Sequence, residues 1–149
     1  MNIILLLFLV FIVAPISNLI HELGHLTGAK LAKADAIRVH IGRGRKVFQV
    51  AINQIEIVIG IVFISAGVTE SRRDRTYKSY EVIYITLLGP LFNAIAVFIC
   101  YLLYEVVRNE FLLLIMLYNG WLFMMNCIPF KMKDQASDGY IVLKEIFGK

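Results

Sequence analysis

The chain has 149 residues, of which 59% are hydrophobic and 17% are charged, and its formal net charge is +4. Soluble domains carry about 25% charged residues, so this composition excludes an ordinary water-soluble fold and favours one domain in a lipid bilayer. The positive charge is too small and too dispersed to indicate nucleic-acid binding, and it suits an anionic membrane surface instead. Cys100 and Cys127 lie in apolar runs, which indicates buried small side chains rather than a disulfide framework or a zinc ribbon.

Three apolar stretches are each long enough to cross a bilayer as a helix. They cover about residues 3–27, 80–105 and 111–130. A helix of about 20 residues, at 1.5 Å per residue, spans roughly the 30 Å hydrocarbon core. The first stretch resembles a signal peptide. Its start has no basic residue and no small-x-small cleavage site follows, so we expect a retained membrane span.

A segment of about residues 30–78 separates the first two spans and has a different pattern. Residues 38–41 and 47–52 are strand-like, and Gly42-Arg43-Gly44 between them predicts a turn. Residues 55–65 form a second β-rich run, which is too short to span a bilayer as a helix. The sequence therefore predicts an all-α membrane protein with three transmembrane helices and a small membrane-surface β element between spans 1 and 2.

The distribution of Lys and Arg predicts how the spans are oriented. Ten of the 15 basic residues lie in the loop over residues 30–78, one lies between spans 2 and 3, and four follow Phe130. Cytoplasmic loops carry an excess of Lys and Arg, so the large loop and the C-terminal tail are expected on the cytoplasmic side. The inner ends of the three spans then meet at one face of a single domain over residues 1–149.

An H-E-x-x-H motif, formed by residues 21–25, lies at the inner end of the first span. His21 and His25 share a helix face, so both imidazoles can reach one ion, and zinc readily takes neutral nitrogen ligands. Glu22 projects beside that ion, where it can accept a proton from water and return it to a leaving amine. Polar side chains in an apolar span are costly unless they are paired or bind an ion. This favours a zinc site over interfacial residues that only cap the helix end.

Two histidines leave a zinc ion short of one protein ligand. Asp138 follows the third span on the expected side, and it precedes Gly139, which can let the backbone turn close to a site. A solvated turn residue is the alternative reading of Asp138. Asp134 is the competing ligand, and His40 in the large loop is expected to be a surface residue.

The later spans each combine an asparagine with a helix-breaking proline. Pro90 follows Gly89 in the second span and tends to kink it, which frees a backbone carbonyl. Asn93 lies one turn beyond Gly89, and an amide in lipid needs a partner, so we expect it to face the protein interior. The third span ends with Asn126 and Pro129. Plain helix packing is the alternative reading of both groups.

These three blocks resemble the site-2 protease family of intramembrane zinc metalloproteases. Residues 21–25 match the zinc motif of that family, residues 89–93 match its second conserved block, and Asn126-x-x-Pro129 with Asp138-Gly139 matches its third. The gap between Pro129 and Asp138 is longer than the commonest family spacing. Asp134 has the shorter spacing but no glycine after it, so Asp138 is the preferred ligand.

The resemblance implies a zinc cofactor, Zn2+, with an aspartate as its third ligand and a glutamate as general base. It further implies asparagines that bind the substrate or stabilise the tetrahedral intermediate. The residues carried over are His21, His25 and Asp138 as metal ligands, Glu22 and Asn93 as catalytic residues, and Asn126, Gly89 and Pro90 as substrate-binding residues.

The predicted function is zinc-dependent hydrolysis of peptide bonds in membrane-embedded or membrane-associated proteins or peptides. The expected setting is the bacterial cell membrane, with a multi-pass chain whose active site lies near the cytoplasmic face. Expected partners are a membrane-spanning or membrane-associated peptide substrate and the lipid bilayer, with a regulatory membrane partner or a second copy of the chain as further candidates and no nucleic acid.

Three other functions compete with this prediction. One is a membrane zinc protease of another type, with a glutamate as third ligand. The second is a catalytically silent chaperone or immunity protein that retains a zinc site, although such a protein has no need of Glu22. A zinc carrier is the weakest alternative, because a single closed site provides no transport path.

Overall fold

The structure is a computed structural model that describes residues 2–64, 67–132 and 135–148. Three of its helices are long and apolar enough to cross a membrane. They are α1 (Ile3–Leu31), α2 (Ser79–Val106) and α3 (Glu110–Cys127). The three predicted spans are therefore confirmed, and their ends differ from the prediction by only a few residues. α1 is continuous but contains a π-helical stretch at Leu9–Val13.

Hydrogen bonds at the first turn fix where α2 and α3 begin. The backbone N–H of Lys78 donates to Glu81 Oε2 at 2.7 Å, which is one half of a capping box at the start of α2. The backbone N–H of Phe111 donates to Asn109 Oδ1 at 2.8 Å at the start of α3. Each span thus starts at a polar side chain that satisfies a backbone donor otherwise left without a helical partner.

Neighbouring spans are antiparallel. Gly24 and Gly28 of α1 lie against the backbone of Leu88 and Ile85 of α2, respectively, so the two helices cross in opposite directions. α3 returns alongside α2. One end of the bundle, called the site end below, therefore carries the C-termini of α1 and α3 and the N-terminus of α2. The Lys and Arg pattern predicted this convergence, while the placement of the site end at the cytoplasmic face remains a prediction.

The outer surfaces of the spans are apolar. Phe98 is 61% exposed, Met124 is 62% exposed, and many other large apolar side chains on the three helices are also exposed. Helices whose outer surfaces are apolar and whose polar groups face inward are typical of proteins surrounded by lipid tails.

Between α1 and α2 the chain forms a four-stranded sheet in the order β2-β3-β1-β4. β1 is parallel to β3 and antiparallel to β4, while β2 is antiparallel to β3. The strands are β1 (Ala36–Ile41), β2 (Arg43–Ile52), β3 (Ile55–Val62) and β4 (Val68–Arg72).

The sheet corrects the expectation of an all-α fold with a small β element. Its first three strands correspond to the predicted β-rich runs, but β4 was not predicted. The chain does reverse at Gly42, which has a φ of 81°. The two strands joined there are not neighbours, however, because β3 lies between them. The period-2 pattern identified strands but carried no information about which strands pair.

The sheet packs against the second half of α1. Ile37 and Val39, on one face of β1, contact Leu26 and Ala29 of α1 and form with Ala34 a buried core. Burial of a side chain such as Ile37 contributes roughly 1.5–3 kcal/mol. This packing holds β4, the neighbour of β1, beside the H-E-x-x-H motif of α1.

The segment after α3 forms two short strands and a helix that the sequence did not predict. The elements are β5 (Lys131–Met132), β6 (Gln135–Ala136) and α4 (Asp138–Phe147). Ser137 caps α4: its Oγ accepts from the backbone N–H groups of Tyr140 and Phe130 and donates to the carbonyl oxygen of Ile128. These bonds tie the start of α4 to the end of α3.

Candidate metal centre

Three side chains from distant parts of the chain meet at the site end. His21 Nε2 lies 3.1 Å from His25 Nε2 and 3.1 Å from Asp138 Oδ2, and His25 Nε2 lies 3.5 Å from Asp138 Oδ1. The three side chains are only 10%, 13% and 11% exposed. Asp134, the competing ligand, lies outside the described residues.

The hydrogen bonds on the far sides of the two imidazoles define their tautomers. His21 Nδ1 lies 2.7 Å from Asn93 Oδ1, and His25 Nδ1 lies 3.0 Å from the carbonyl oxygen of Ile85. Both partners only accept, so each Nδ1 carries the hydrogen and donates it. In the neutral form of each ring, Nε2 therefore bears a lone pair that faces the other histidine and Asp138.

This arrangement could hold a metal ion. Asp138 Oδ2 is buried and has no hydrogen-bond donor among the described residues, and its contact with His21 lacks a hydrogen in this tautomer. A proton shared in a hydrogen bond would connect only two of the three side chains, whereas a metal ion can contact all three. Tetrahedral zinc, at about 2.0–2.1 Å from each ligand, places ligand atoms roughly 3.3 Å apart. The observed separations of 3.1–3.5 Å, which involve both carboxylate oxygens of Asp138, are close to that spacing.

Local backbone geometry brings Asp138 to the histidines. Asp138 is the first residue of α4, directly after the Ser137 cap. A Cβ atom on Gly139 would overlap the carbonyl oxygen of Cys127 at the end of α3. Only glycine therefore allows α4 to start this close to α3. The sequence pattern favoured Asp138 over Asp134 because a glycine follows Asp138. The close contact with Cys127 explains why that position is a glycine.

Glu22 lies beside the three ligands and is held by the sheet. Thr69 Oγ1, on β4, donates to Glu22 Oε2 at 2.6 Å. A cavity of about 250 Å³ contains Glu22 and the three ligands, and Val68 and Thr69 contribute its wall on the sheet side. The carboxylate that the sequence predicts as general base is thus oriented by an edge strand and faces the same space as the ligands.

Asn93 faces the protein interior, as predicted, and contacts the ring nitrogen of His21 that points away from the other ligands. It is fully buried, and its Nδ2 donates to the Ser17 carbonyl oxygen and to Asn119 Oδ1. Both amide hydrogens are therefore used, and none is left for an oxyanion. The geometry supports Asn93 as a residue that orients His21, rather than as the predicted stabiliser of the tetrahedral intermediate.

The predicted substrate-binding residues occupy three different positions. Gly89 lies under the imidazole of His25, because a Cβ atom there would overlap the ring. Pro90 is buried and borders an apolar groove between α2, α3 and α4. Asn126 lines the cavity that contains the ligands, and its Nδ2 donates to the carbonyl oxygen of Leu122. Of these residues, only Asn126 is placed to meet a substrate in that cavity.

His40 is not part of the ligand group. It lies on β1, paired with Val58 on one side and Val68 on the other.

Sequence reasoning missed three residues around the site, namely Thr69, Ser17 and Asn119. An amide in an apolar span needs a polar partner, so the argument that identified Asn93 would also have singled out Asn119. Thr69 had no such signal, because it lies in a strand that the residue pattern did not predict.

The comparisons with known proteins identify the family. The family model of peptidase family M50 matches residues 4–109, which is more than half of the chain and includes His21, Glu22 and His25. No curated protein matches the chain. Asp138 lies beyond the matched residues, so its position in the site rests on the geometry described above.

Proposed function

This chain belongs to peptidase family M50, the site-2 protease family, and from this premise we propose that it is a zinc-dependent intramembrane endopeptidase. Its substrates would be membrane-spanning or membrane-associated proteins or peptides. The observation that carries the proposal is the group formed by His21, His25 and Asp138, whose lone-pair-bearing atoms lie 3.1–3.5 Å apart beside the carboxylate of Glu22.

The donor set supports zinc as the ion. Two neutral imidazole nitrogens and one carboxylate oxygen suit zinc, and three protein ligands with an open fourth position are typical of catalytic zinc sites. When bound, the ion supplies a Lewis acid that acidifies water and polarises the peptide carbonyl. His21, His25 and Asp138 would hold it.

Glu22 is the proposed general base and general acid. Its carboxylate accepts a proton from the attacking water and later gives it to the nitrogen of the leaving amine. Thr69 donates to Oε2 only, so Oε1 is left to carry the proton. The hydrogen bond from Thr69 restricts the orientation of the carboxylate, which lines the cavity where the peptide bond would be cleaved.

The edge of the sheet is the proposed binding surface for the substrate backbone. β4 ends the strand order, so its outer edge has no neighbouring strand among the described residues, and Val68 and Thr69 line the ligand cavity. A helical substrate must unwind locally before its amide can be attacked. An unwound segment could then pair with β4 as an added strand.

Site-specific photo-crosslinking tests this surface. A photoreactive residue at position 68 should capture substrate in the inactive Glu22→Gln background. Position 47 is the matched control, since Val47 and Val68 are both exposed valines, on the two opposite edge strands. Equal capture from both positions would argue against binding at β4.

The composition and topology support a location within the bilayer. His21 and His25 lie in the second half of an apolar helix, and Asp138 begins a short helix tied to the end of another. The basic loop and tail favour a site near the cytoplasmic face of a bacterial cell membrane.

Metal analysis of the detergent-purified protein beside its Glu22→Gln variant tests the proposal. We expect one zinc per chain in both proteins, with cleavage reduced by about 10²–10⁴-fold in the variant. Membrane peptides that accumulate in cells carrying the variant would identify the substrates by proteomics. A wild-type protein without stoichiometric metal would overturn the proposal. A cellular phenotype unchanged in the variant would favour the catalytically silent binding protein.

A further inference from the structure

A chain of buried hydrogen bonds connects all three spans behind His21. Ser17, Asn93 and Asn119 are each 0% exposed. Asn93 Nδ2 donates to Asn119 Oδ1 at 2.8 Å and to the Ser17 carbonyl oxygen at 3.2 Å. Asn119 Nδ2 donates to Ser17 Oγ at 2.8 Å and to the Ile115 carbonyl oxygen at 2.9 Å. The chain of bonds thus begins on α3, passes through α2 and ends at a ring nitrogen on α1.

The direction of these bonds is fixed by two backbone acceptors, the Ile115 carbonyl oxygen beside Asn119 and the Ser17 carbonyl oxygen beside Asn93. If the Asn119 amide were flipped, its oxygen would face the Ile115 carbonyl oxygen, and two acceptors would meet with no hydrogen between them. In the observed orientation Asn119 Oδ1 requires a donor from Asn93. Asn93 Oδ1 is therefore left facing His21, and only the tautomer with a hydrogen on Nδ1 satisfies it.

We infer that Asn119 is a positioning residue, which together with the Ser17 carbonyl oxygen sets the direction of this chain and so holds His21 in the tautomer whose Nε2 lone pair faces Asp138. The consequence for metal binding rests on the proposed function, because that tautomer is the one a metal ligand requires. The tautomer itself can be measured without metal. The inference and the proposed function can therefore fail separately.

A packing role for Asn119 would predict a different pattern of variants. In an apolar span, Asn119→Leu removes a polar group, whereas Asn119→Asp introduces a more polar one. If Asn119 served packing alone, the leucine variant should therefore disturb the protein less than the aspartate variant. The positioning role predicts the reverse. Asn119→Asp keeps an oxygen that faces Asn93, whereas Asn119→Leu removes the shorter of the two hydrogen bonds that hold the Asn93 amide and leaves the Ser17 carbonyl oxygen as its one described acceptor.

The first measurement is the affinity for zinc, by competition with a chelator. Loss of a residue that hydrogen-bonds a ligating histidine directly lowers metal affinity by about 10–100-fold. Asn119 acts on His21 through Asn93, so we expect Asn119→Leu to lower zinc affinity by about tenfold, at the lower end of that range. Asn119→Asp should stay within about threefold of the wild type, since the acceptor facing Asn93 is retained.

Asn126→Leu is the matched control. Asn126 is also an asparagine of α3 whose Nδ2 donates to the carbonyl oxygen four residues earlier, as Asn119 does. It has no hydrogen bond to Asn93 among those described. The control removes the same type of intrahelical bond and should leave zinc affinity within about threefold of the wild type.

The second measurement is the tautomer of His21 in metal-free protein, from ¹⁵N chemical shifts of labelled histidine at alkaline pH. The chain has only three histidines, so assignment by single substitutions is practical. We expect Nδ1–H in the wild type and in Asn119→Asp, and a mixture of tautomers in Asn119→Leu.

The outcomes separate the two ideas. A single Nδ1–H tautomer in Asn119→Leu, or equal loss of zinc affinity in Asn119→Leu and Asn126→Leu, would overturn the positioning role of Asn119. A wild type that binds no zinc but shows the expected tautomers would overturn the proposed function alone. If Asn119→Leu does not fold, Asn119→Asp still decides, because a mixed tautomer there contradicts the inference.

Discussion

His21 and Glu22 are adjacent in sequence, yet two different regions of the molecule hold them. His21 is oriented by Asn93, which is fully buried and belongs to a hydrogen-bond network between the three spans. Glu22 is oriented by Thr69, on an edge strand that lines the cavity. The metal ligand is thus positioned by the packing of the spans, whereas the base is positioned by the surface proposed to bind substrate.

This difference separates two kinds of defect. We call the residues that form or orient the His21, His25 and Asp138 group the ligand side, and Glu22 with Thr69 the base side. Changes on the ligand side should lower metal affinity and, as a result, activity. Changes on the base side should lower kcat while the metal stays bound. Three variants test the separation, in order of decreasing expected effect.

The largest effect is expected from Asp138→Ala, which removes the third ligand. Zinc affinity should fall by more than about 100-fold and cleavage should be lost, because two imidazoles alone hold the ion weakly. Metal content after dialysis against a weak chelator measures this. Asp74→Ala, at an exposed aspartate between β4 and α2, is the control and should retain both properties. Zinc retained in Asp138→Ala would favour the type of membrane protease whose third ligand is a glutamate.

A smaller effect is expected from Gly89→Ala on the ligand side. The added Cβ would overlap the His25 imidazole, so the ring must move, and zinc affinity should fall by about 10–100-fold. Gly120→Ala is the matched control in a neighbouring span, since a Cβ there would meet only Val97 Cγ2 at 3.8 Å. Chelator competition compares the two variants. Equal affinities would show that the position of the His25 ring does not depend on this contact.

The smallest effect is expected from Thr69→Val on the base side. Loss of the hydrogen bond to Glu22 should lower kcat by about tenfold, which corresponds to about 1.4 kcal/mol. Zinc content should not change, because Thr69 contacts Glu22 rather than a ligand. Thr69→Ser restores the hydroxyl group and should recover most of the activity. A loss of zinc in Thr69→Val would contradict the claim that Thr69 acts on Glu22 and not on the metal ligands.

The ligand side was largely predictable from the sequence. The spacing of His21 and His25 places both on one helix face, and the glycine after Asp138 favoured an aspartate that the structure places beside them. The orienting role of Asn93 was not predictable. An amide in a span shows that a partner must exist, but only the helix crossing shows that the partner is His21.

The base side was not predictable, because it depends on strand pairing. Thr69 reaches Glu22 only because β4 pairs with β1, and β1 packs on α1 through Ile37 and Val39. The predicted turn at Gly42 suggested that β1 and β2 are neighbours, whereas β3 lies between them. Alternating side chains indicate a strand, but pairing is decided by tertiary packing that a single sequence does not encode locally.

The position of Asp138 has a consequence for the protein as it is being synthesised. The histidines leave the ribosome early, with the first span, whereas Asp138 emerges only after the third span has been made. A nascent chain therefore holds two of the three candidate ligands before the third span has been made and cannot yet form the complete centre. Such an order delays the assembly of the candidate metal centre until all three spans have been synthesised.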